Sequence, residues 1–303
     1  METLIAIALA LLVSTSTTKV EYTEKLEEKE IYNASRTRTN DLIHTDLSVR
    51  FNWEKQHLLG IAELTLKPYF HSTDELILDA KGFDIHSVSM NGEELLYDYD
   101  NLLLDIQLDR AYDRTEDYTV LIKYTAKPNE LAIEGSNAIT DAKGLYFINP
   151  LGEEKNKPMQ IWTQGETEAS SCWFPTIDKP NERMTQNIAI TVKDEFVTLS
   201  NGLLVKSEKN GDGTRTDYWE QKLAHTPYLA MLGVGDFNIT SDKWKDIEVD
   251  YYLEDDYHLF ARAIFGRTPQ MIAHFSEILG VEYPWEKYAQ IVVRDFVSGA
   301  MEN

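Results

Sequence analysis

The feature that most constrains the fold of this 303-residue chain is an alternation of apolar and polar residues between about residue 42 and residue 240. Successive side chains of a β-strand point to opposite faces of the sheet, so a period of two indicates strands with one buried face. The alternation recurs in five short runs, at 47–53, 62–66, 120–124, 188–192 and 197–199. Helical periods are scarce over the same stretch, which therefore predicts β structure.

Turn-forming residues separate these runs at Asn91-Gly92, Asn201-Gly202 and Gly211-Asp212-Gly213. An Asn-Gly pair favours a tight hairpin, because both residues tolerate the positive φ angles that such a turn needs. Many short strands at turn-punctuated intervals are typical of a sandwich-like, largely antiparallel β domain. We place this domain at 42–243.

The pattern changes to strands and helices over 244–303. We expect a strand around 247–251, a helix near Tyr257 capped by Asp255-Asp256, a helix capped by Thr268-Pro269 and ended by Gly280, and a strand over 288–293. The second helix places five apolar residues on one face: Met271, Ile272, Phe275, Ile278 and Leu279. A unit this short cannot close a core alone, so we expect only the start of an α/β domain.

The N-terminus carries a ten-residue apolar run, Leu4–Val13, followed by Ser and Thr residues. This run is too short to span a bilayer but has the length of a signal-peptide core. Residues 1–18 therefore predict a signal peptide and an exported protein, periplasmic, secreted or surface-associated. Glu2 departs from the usual basic start, so a buried first strand or helix and a cytoplasmic protein are the alternative. Residues 19–41 are a charged lead-in.

The charge balance excludes one class of partner. With 29 Lys and Arg against 51 Asp and Glu, the formal net charge is −22, whereas nucleic acid binding needs a dense basic surface. A cationic small molecule or peptide would suit this field, although excess acid also serves solubility alone. The single cysteine, Cys172, excludes an intramolecular disulfide and a zinc site built from several cysteines.

Two segments concentrate residues that could carry chemistry, 163–183 and 294–303. In the second segment, Gly299 and Ala300 are small enough for an extended peptide to approach closely. The carboxylate of Glu302 beside them could hold the α-ammonium group of a peptide by a charge-assisted hydrogen bond. The plainer alternative is a strand end with a solvated surface acid.

The order of the motifs favours the peptide-binding interpretation. The motifs are Thr163-Gln164-Gly165-Glu166, Phe174-Pro175 with Asp178 and Pro180, Tyr228-Leu229, Gly235-Asp236-Phe237, Tyr283-Pro284-Trp285 and Gly299-Ala300-Met301-Glu302-Asn303. This set resembles the aminopeptidase N-like zinc metallopeptidase family over roughly 40–303, as an N-terminal fragment that ends at the pentapeptide. The resemblance implies a saddle-like antiparallel β-sandwich domain followed by the truncated start of a thermolysin-like α/β catalytic domain.

The resemblance also implies roles for individual residues. Glu302 matches the glutamate that binds the free amino group of the substrate, and Glu166 matches a second anchor for the same group. Gln164 would border the pocket for the first residue, and the run Gly299, Ala300 and Met301 would line the path of the substrate backbone. Relatives that act as epoxide hydrolases carry glutamine where this chain has Glu166, which favours peptide cleavage.

The zinc ligands of the family are absent from this sequence. They come from a His-Glu-x-x-His helix and a downstream Glu, but no histidine here is followed by Glu and no two are four residues apart. The resemblance therefore implies a zinc aminopeptidase for peptides with a free N-terminus, whose zinc is bound beyond Asn303, so that this chain alone is inactive. The acidic charge predicts no nucleic acid partner, and the lack of an apolar stretch of about 20 residues predicts no transmembrane helix. A catalytically inactive relative or a standalone β-rich peptide-binding or scaffold module is the alternative.

Overall fold

The computed structural model describes residues 36–132 and 139–303 of the chain. The predicted signal peptide and nearly all of the charged lead-in lie outside these residues. Every helix and strand named below belongs to one compact unit, Arg38–Asn303. The predicted boundary near residue 243 stays a prediction.

Strands dominate the described residues. They are β1 (Asn40–Asn52), β2 (His57–Pro68), β3 (Thr73–Asp79), β4 (Phe83–Met90), β5 (Glu93–Glu94), β6 (Leu96–Tyr99), β7 (Leu103–Tyr112), β8 (Tyr118–Ala126), β9 (Leu145–Ile148), β10 (Gln160–Thr163), β11 (Met184–Lys193), β12 (Val197–Ser200), β13 (Leu203–Lys209), β14 (Thr214–His225), β15 (Leu232–Gly235), β16 (Asn238–Trp244), β17 (Ile247–Leu253) and β18 (Lys287–Ile291). Three α-helices follow β17: α1 (Asp255–His258), α2 (Ala261–Phe265) and α3 (Thr268–Leu279). Among the described residues, no helix has the length and apolar character needed to cross a bilayer.

The largest sheet has eight strands in the order β13-β14-β11-β1-β2-β8-β4-β5. Its pairs are antiparallel except for β1 with β11, which run parallel. The alternating apolar residues of these strands, including Leu47 and Leu64, face one hydrophobic core. Leu76 and Ile106 of the three-stranded sheet β3-β7-β6 belong to the same core. This mainly β, largely antiparallel architecture confirms the predicted fold class.

The predicted Asn-Gly hairpin between β4 and β5 is confirmed. Asn91 has a φ angle of 52° and Gly92 one of 88°, as a tight turn with two positive φ angles requires. Gly202 also has a positive φ angle, 72°, between β12 and β13. A Cβ atom there would lie 1.9 Å from the carbonyl oxygen of Glu220, so this turn accepts only glycine.

A four-stranded sheet, β12-β15-β10-β9, is covered on both faces. Leu145 and Ile161 point into the main core. From the opposite face, Tyr146 and Trp162 pack against residues 293–297. This double burial fixes the position of the segment that leads to the pentapeptide.

The last sheet, β16-β17-β18, supports the three helices, and its β17 and β18 are parallel. Both helices begin earlier than predicted, α1 at Asp255 and α3 at Thr268, and the preceding side chains of Glu254 and Arg267 form no capping hydrogen bond. Thr268 is already helical, and its hydroxyl donates to the Phe265 carbonyl oxygen instead of capping the helix. The predicted C-terminal cap is confirmed, since Gly280 has a φ angle of 66°.

The predicted apolar face of α3 is only partly buried. Ile272 packs into a small core with Val249 and Tyr251. The other four apolar residues of that face are exposed: Met271, Phe275, Ile278 and Leu279. The buried stripe instead runs through Thr268 and Ile272, four residues apart.

Candidate functional site

Gln164, the predicted pocket residue, follows directly on β10 and is completely buried. Its backbone N–H donates to the carbonyl oxygen of Gly144 at 3.0 Å. A Cβ atom on the next residue, Gly165, would lie only 2.3 Å from the carbonyl oxygen of Tyr228. Glycine is therefore needed for the two backbones to approach so closely, and two of the sequence motifs are in contact here.

The loop after Glu166 is held by a buried carboxylate. Asp178 accepts hydrogen bonds from the backbone N–H of Ser171 at 2.8 Å and from its hydroxyl at 2.7 Å. The backbone N–H of Asp178 donates in turn to Asp79 at the end of β3, at 2.9 Å. Burial raises the pKa of Asp178 to about 6, although the two bonds from Ser171 oppose that rise. Asp178 therefore anchors the loop to the β domain.

The pentapeptide segment begins on the outer face of β10. The indole of Trp162 stacks on Tyr146, with ring centroids 4.1 Å apart, and meets Phe296 at 5.0 Å. Its Nε1–H also donates to the backbone carbonyl oxygen of Arg294 at 3.1 Å. Both the aromatic packing and the hydrogen bond fix the chain just before Gly299.

The two segments singled out in the sequence meet at the ends of these elements. The side-chain Nε2 of Gln164 lies 3.8 Å from Sδ of Met301. Nδ2 of Asn303 donates to the carbonyl oxygen of Leu229 at 3.5 Å. The structure thus brings Gln164 and Met301 into direct contact, although they are 137 residues apart in the chain.

The two predicted anchor carboxylates flank this contact. Glu166 is half-buried, and Glu302 is exposed. Within 36–132 and 139–303, neither carboxylate forms an ion pair or hydrogen bond. Gly299 and Ala300 are also exposed, and a Cβ atom on Gly299 would meet nothing within 4 Å. The surface beside the anchors is therefore open to a ligand.

The side-chain oxygen of Gln164 is unsatisfied. This Oε1 is fully buried and has no hydrogen-bond partner among the described residues. A buried acceptor without a donor is unfavourable for stability.

Three residues at this site were given no role from the sequence, namely Gln160, Glu254 and Arg294, although Arg294 begins the segment 294–303. They form a hydrogen-bonded network between β10, the end of β17 and the pentapeptide segment. The only sequence feature that pointed to Gln160 was its place directly before the apolar pair Ile161-Trp162. A buried amide needs partners on both its oxygen and its nitrogen, but the sequence does not say where those partners lie.

The described residues do not fit a zinc ion. No three or more of their His, Cys, Asp and Glu side chains form a group that could hold a metal. Desolvation lowers the pKa of His225 to about 4, and the charge of Arg183 adds to this effect. Burial raises the pKa of the Cys172 thiol to about 12, so it is not a ready thiolate ligand.

Comparisons with known proteins identify the same family as the motifs. Residues 29–229 match the family described as the peptidase M1 N-terminal domain. Aminopeptidase M1 of Arabidopsis thaliana is 33% identical over 167 residues, which are 53% of this chain and 18% of that protein. Endoplasmic reticulum aminopeptidase 1 of Rattus norvegicus is 26% identical over 187 residues, 61% of this chain and 19% of that protein. This chain thus spans about a fifth of the length of these relatives.

A solved structure shows the same fold. The M1 zinc metallopeptidase of Deinococcus radiodurans, bound to a Tyr-Ser-Ala substrate, matches with a TM-score of 0.68 and 19% identity. The match covers 84% of this chain and 56% of that one. The fold, the motif order and the match of 29–229 agree. The chain therefore belongs to the aminopeptidase N-like M1 peptidase family, of which it carries the N-terminal domain.

Proposed function

We propose that this chain supplies the amino-group anchoring site of a zinc-dependent aminopeptidase that removes residues from free peptide N-termini. The observation that carries the proposal is the contact between Gln164 and Met301, which joins the two segments that bear Glu166 and Glu302. Glu302 binds the substrate ammonium group, and Glu166 is its second anchor. Gln164 borders the first-residue pocket, and the exposed Gly299 and Ala300 line the path of the substrate backbone together with the half-buried Met301.

Two carboxylates around one ammonium group make physical sense. A partly desolvated cation is unfavourable unless charged acceptors surround it. Because Glu166 and Glu302 have no partner among the described residues, neither needs to break an existing ion pair to bind the substrate. An acetylated N-terminus is uncharged, so the same pair of carboxylates would disfavour it and select free amines.

The catalytic metal belongs to the proposal for the complete protein. The M1 neighbours are zinc metallopeptidases, and the described residues of this chain do not fit the ion. We therefore assign zinc binding to residues outside this chain and expect the chain alone to be inactive. The Tyr-Ser-Ala ligand of the Deinococcus radiodurans enzyme supports a peptide as the substrate class.

Export also remains part of the proposal. It rests on the apolar run Leu4–Val13, which lies outside the described residues. The rat relative is named for the endoplasmic reticulum, which is compatible with a secretory route.

Replacing Glu302 by Gln in the complete protein tests the anchoring role. The amide keeps the shape of the side chain but loses its charge, and a hydrogen bond to a charged group contributes about 1.5–3 kcal/mol. We expect kcat/KM to fall by about 10- to 150-fold for an aminoacyl arylamide. The α-hydroxy analogue has no ammonium group, so its kcat/KM should not change. Unchanged kcat/KM for the free-amine substrate would refute the assignment.

A further inference from the structure

Gln160 is a fully buried amide that uses both of its polar ends. Its Oε1 accepts the backbone N–H of Arg294 at 2.8 Å, and its Nε2 donates to Oε1 of Glu254 at 3.0 Å. A buried amide that lost either partner would leave an unsatisfied polar group, which is unfavourable. Both bonds of Gln160 form only when β10 and the backbone at Arg294 keep their present relative position, so Gln160 fixes that position.

Arg294 is held at three points. Its guanidinium group binds Glu254 in a bidentate manner, with Nε at 2.7 Å from Oε1 and Nη2 at 2.5 Å from Oε2. Its backbone N–H is taken by Gln160, and its carbonyl oxygen accepts from Trp162. Bidentate pairs fix orientation as well as distance. The main chain at Arg294 can therefore neither slide nor rotate without breaking several of these bonds.

This network joins the two backbone segments that carry the proposed anchors, Glu166 and Glu302. Gln160 begins the strand that runs directly into Gln164 and Glu166, and Arg294 lies eight residues before Glu302. Neither anchor carboxylate is held by a described side chain. Their positions relative to each other therefore depend on the two backbones, and the network joins those backbones.

We infer that Gln160, Glu254 and Arg294 form a positioning network that sets the spacing of the two ammonium anchors. This inference rests on the proposed function. Glu254 is its central positioning residue, because its carboxylate binds both Gln160 and Arg294. Two groups that must reach one ammonium tolerate little displacement, and misplacement by about 1 Å can cost about a hundredfold in rate.

The test uses the complete protein and two substrates, an aminoacyl arylamide and its α-hydroxy analogue. The readout is the ratio of the two kcat/KM values, measured at enzyme concentrations that make the slower reaction observable. We expect Glu254→Ala to lower this ratio about tenfold, mainly through the free-amine substrate. Glu254→Gln keeps an acceptor but loses the charge, so it should lower the ratio by a smaller factor.

A second arginine–carboxylate ion pair of the chain provides a control. Arg262 and Asp242 form an ion pair at 2.8 Å that contacts neither anchor segment. Asp242→Asn should therefore leave the ratio unchanged. If Glu254 were merely structural, its variants would reduce both rates by the same factor and the ratio would stay constant, which would overturn the inference. If Glu254→Ala does not fold, the ratio measured for Glu254→Gln tests the inference by the same criterion.

The variant Glu302→Gln in the same assay separates this inference from the proposed function. A lower ratio for Glu302→Gln together with a wild-type ratio for both Glu254 variants would refute only the positioning role. An unchanged ratio for Glu302→Gln would refute the anchoring site itself, and the positioning role with it.

Discussion

The buried carboxyl group of Asp178 links the stability of the chain to pH. Its pKa is about 6 in the folded chain because of burial, against about 3.9 in an unfolded chain. Between these values the folded state binds more protons than the unfolded state. The stabilisation that the raised pKa provides is therefore fully present below about pH 4 and is lost as the pH rises through about 6.

Replacing Asp178 by Asn should remove this pH dependence, since the amide stays neutral throughout. We expect the free energy of unfolding of the variant, relative to wild type, to rise by about 3 kcal/mol from pH 4 to pH 7. Urea unfolding of the 303-residue chain at a series of pH values measures the difference.

Ser171→Ala provides a companion variant for this experiment. The Ser171 hydroxyl donates to the carboxylate and so favours its charged form. Its removal should raise the pKa of Asp178 further and extend the pH-dependent window upward. Parallel pH profiles for wild type and Asp178→Asn would show instead that the carboxyl group is not desolvated in solution.

At the scale of elements, helix α3 carries apolar residues that are buried and apolar residues that are exposed. Ile272 is buried against β17, whereas Phe275 on the same helix is 55% exposed. We expect Ile272→Ala to cost about 2–5 kcal/mol in unfolding free energy, because it opens a cavity. Phe275→Ala should change that energy by only about 0.5 kcal/mol. Urea unfolding of the two variants of the 303-residue chain tests this, and similar losses would mean that both side chains are in a core.

The same contrast explains which strands could be predicted. Strands such as β1 and β11 have one buried face, so their apolar residues alternate and the sequence pattern reveals them. Strands β9, β10 and β15 are buried on both faces, and their four residues show no alternation. A short run of this kind cannot be distinguished from a buried helical turn by periodicity.

The sequence could not show which part of the apolar face of α3 is buried, for a related reason. Periodicity shows which residues share a face, but not whether another element covers that face. In α3 the residues that touch the sheet are Thr268 and Ile272. The pattern of Met271, Phe275 and Ile278 describes a second stripe, which is exposed in this chain.

At the candidate site, too, the sequence does not show which residues are in contact, because the residues concerned are far apart in the chain. The motif order predicts that Gln164 and Met301 belong to one site, but only the fold shows their contact. The network of Gln160, Glu254 and Arg294 was invisible to the sequence, because its members are 40 to 134 residues apart. Hydrogen bonds between distant polar residues leave no local pattern in the chain.

At the scale of the whole molecule, the acidic charge and the anchors act in the same direction. The formal net charge is −22, and the proposed ligand group is a cation. A field of this sign raises the local concentration of cationic ligands and weakens with added salt. It attracts ammonium groups in general, however, so under the proposed function the selection of an α-ammonium group would depend on Glu166 and Glu302.

Measuring the zinc content tests the proposal that the catalytic zinc is bound by residues outside this chain. The described residues hold no group that fits a metal, so the purified 303-residue chain should contain far less than one zinc per chain after dialysis against a weak chelator. It should not hydrolyse an aminoacyl arylamide. The complete protein, prepared in the same way, should retain one zinc and cleave the substrate. Elemental analysis and the hydrolysis assay measure both outcomes.

Stoichiometric zinc in the 303-residue chain would contradict the proposal, and a complete protein without zinc would favour an inactive relative that only binds peptides.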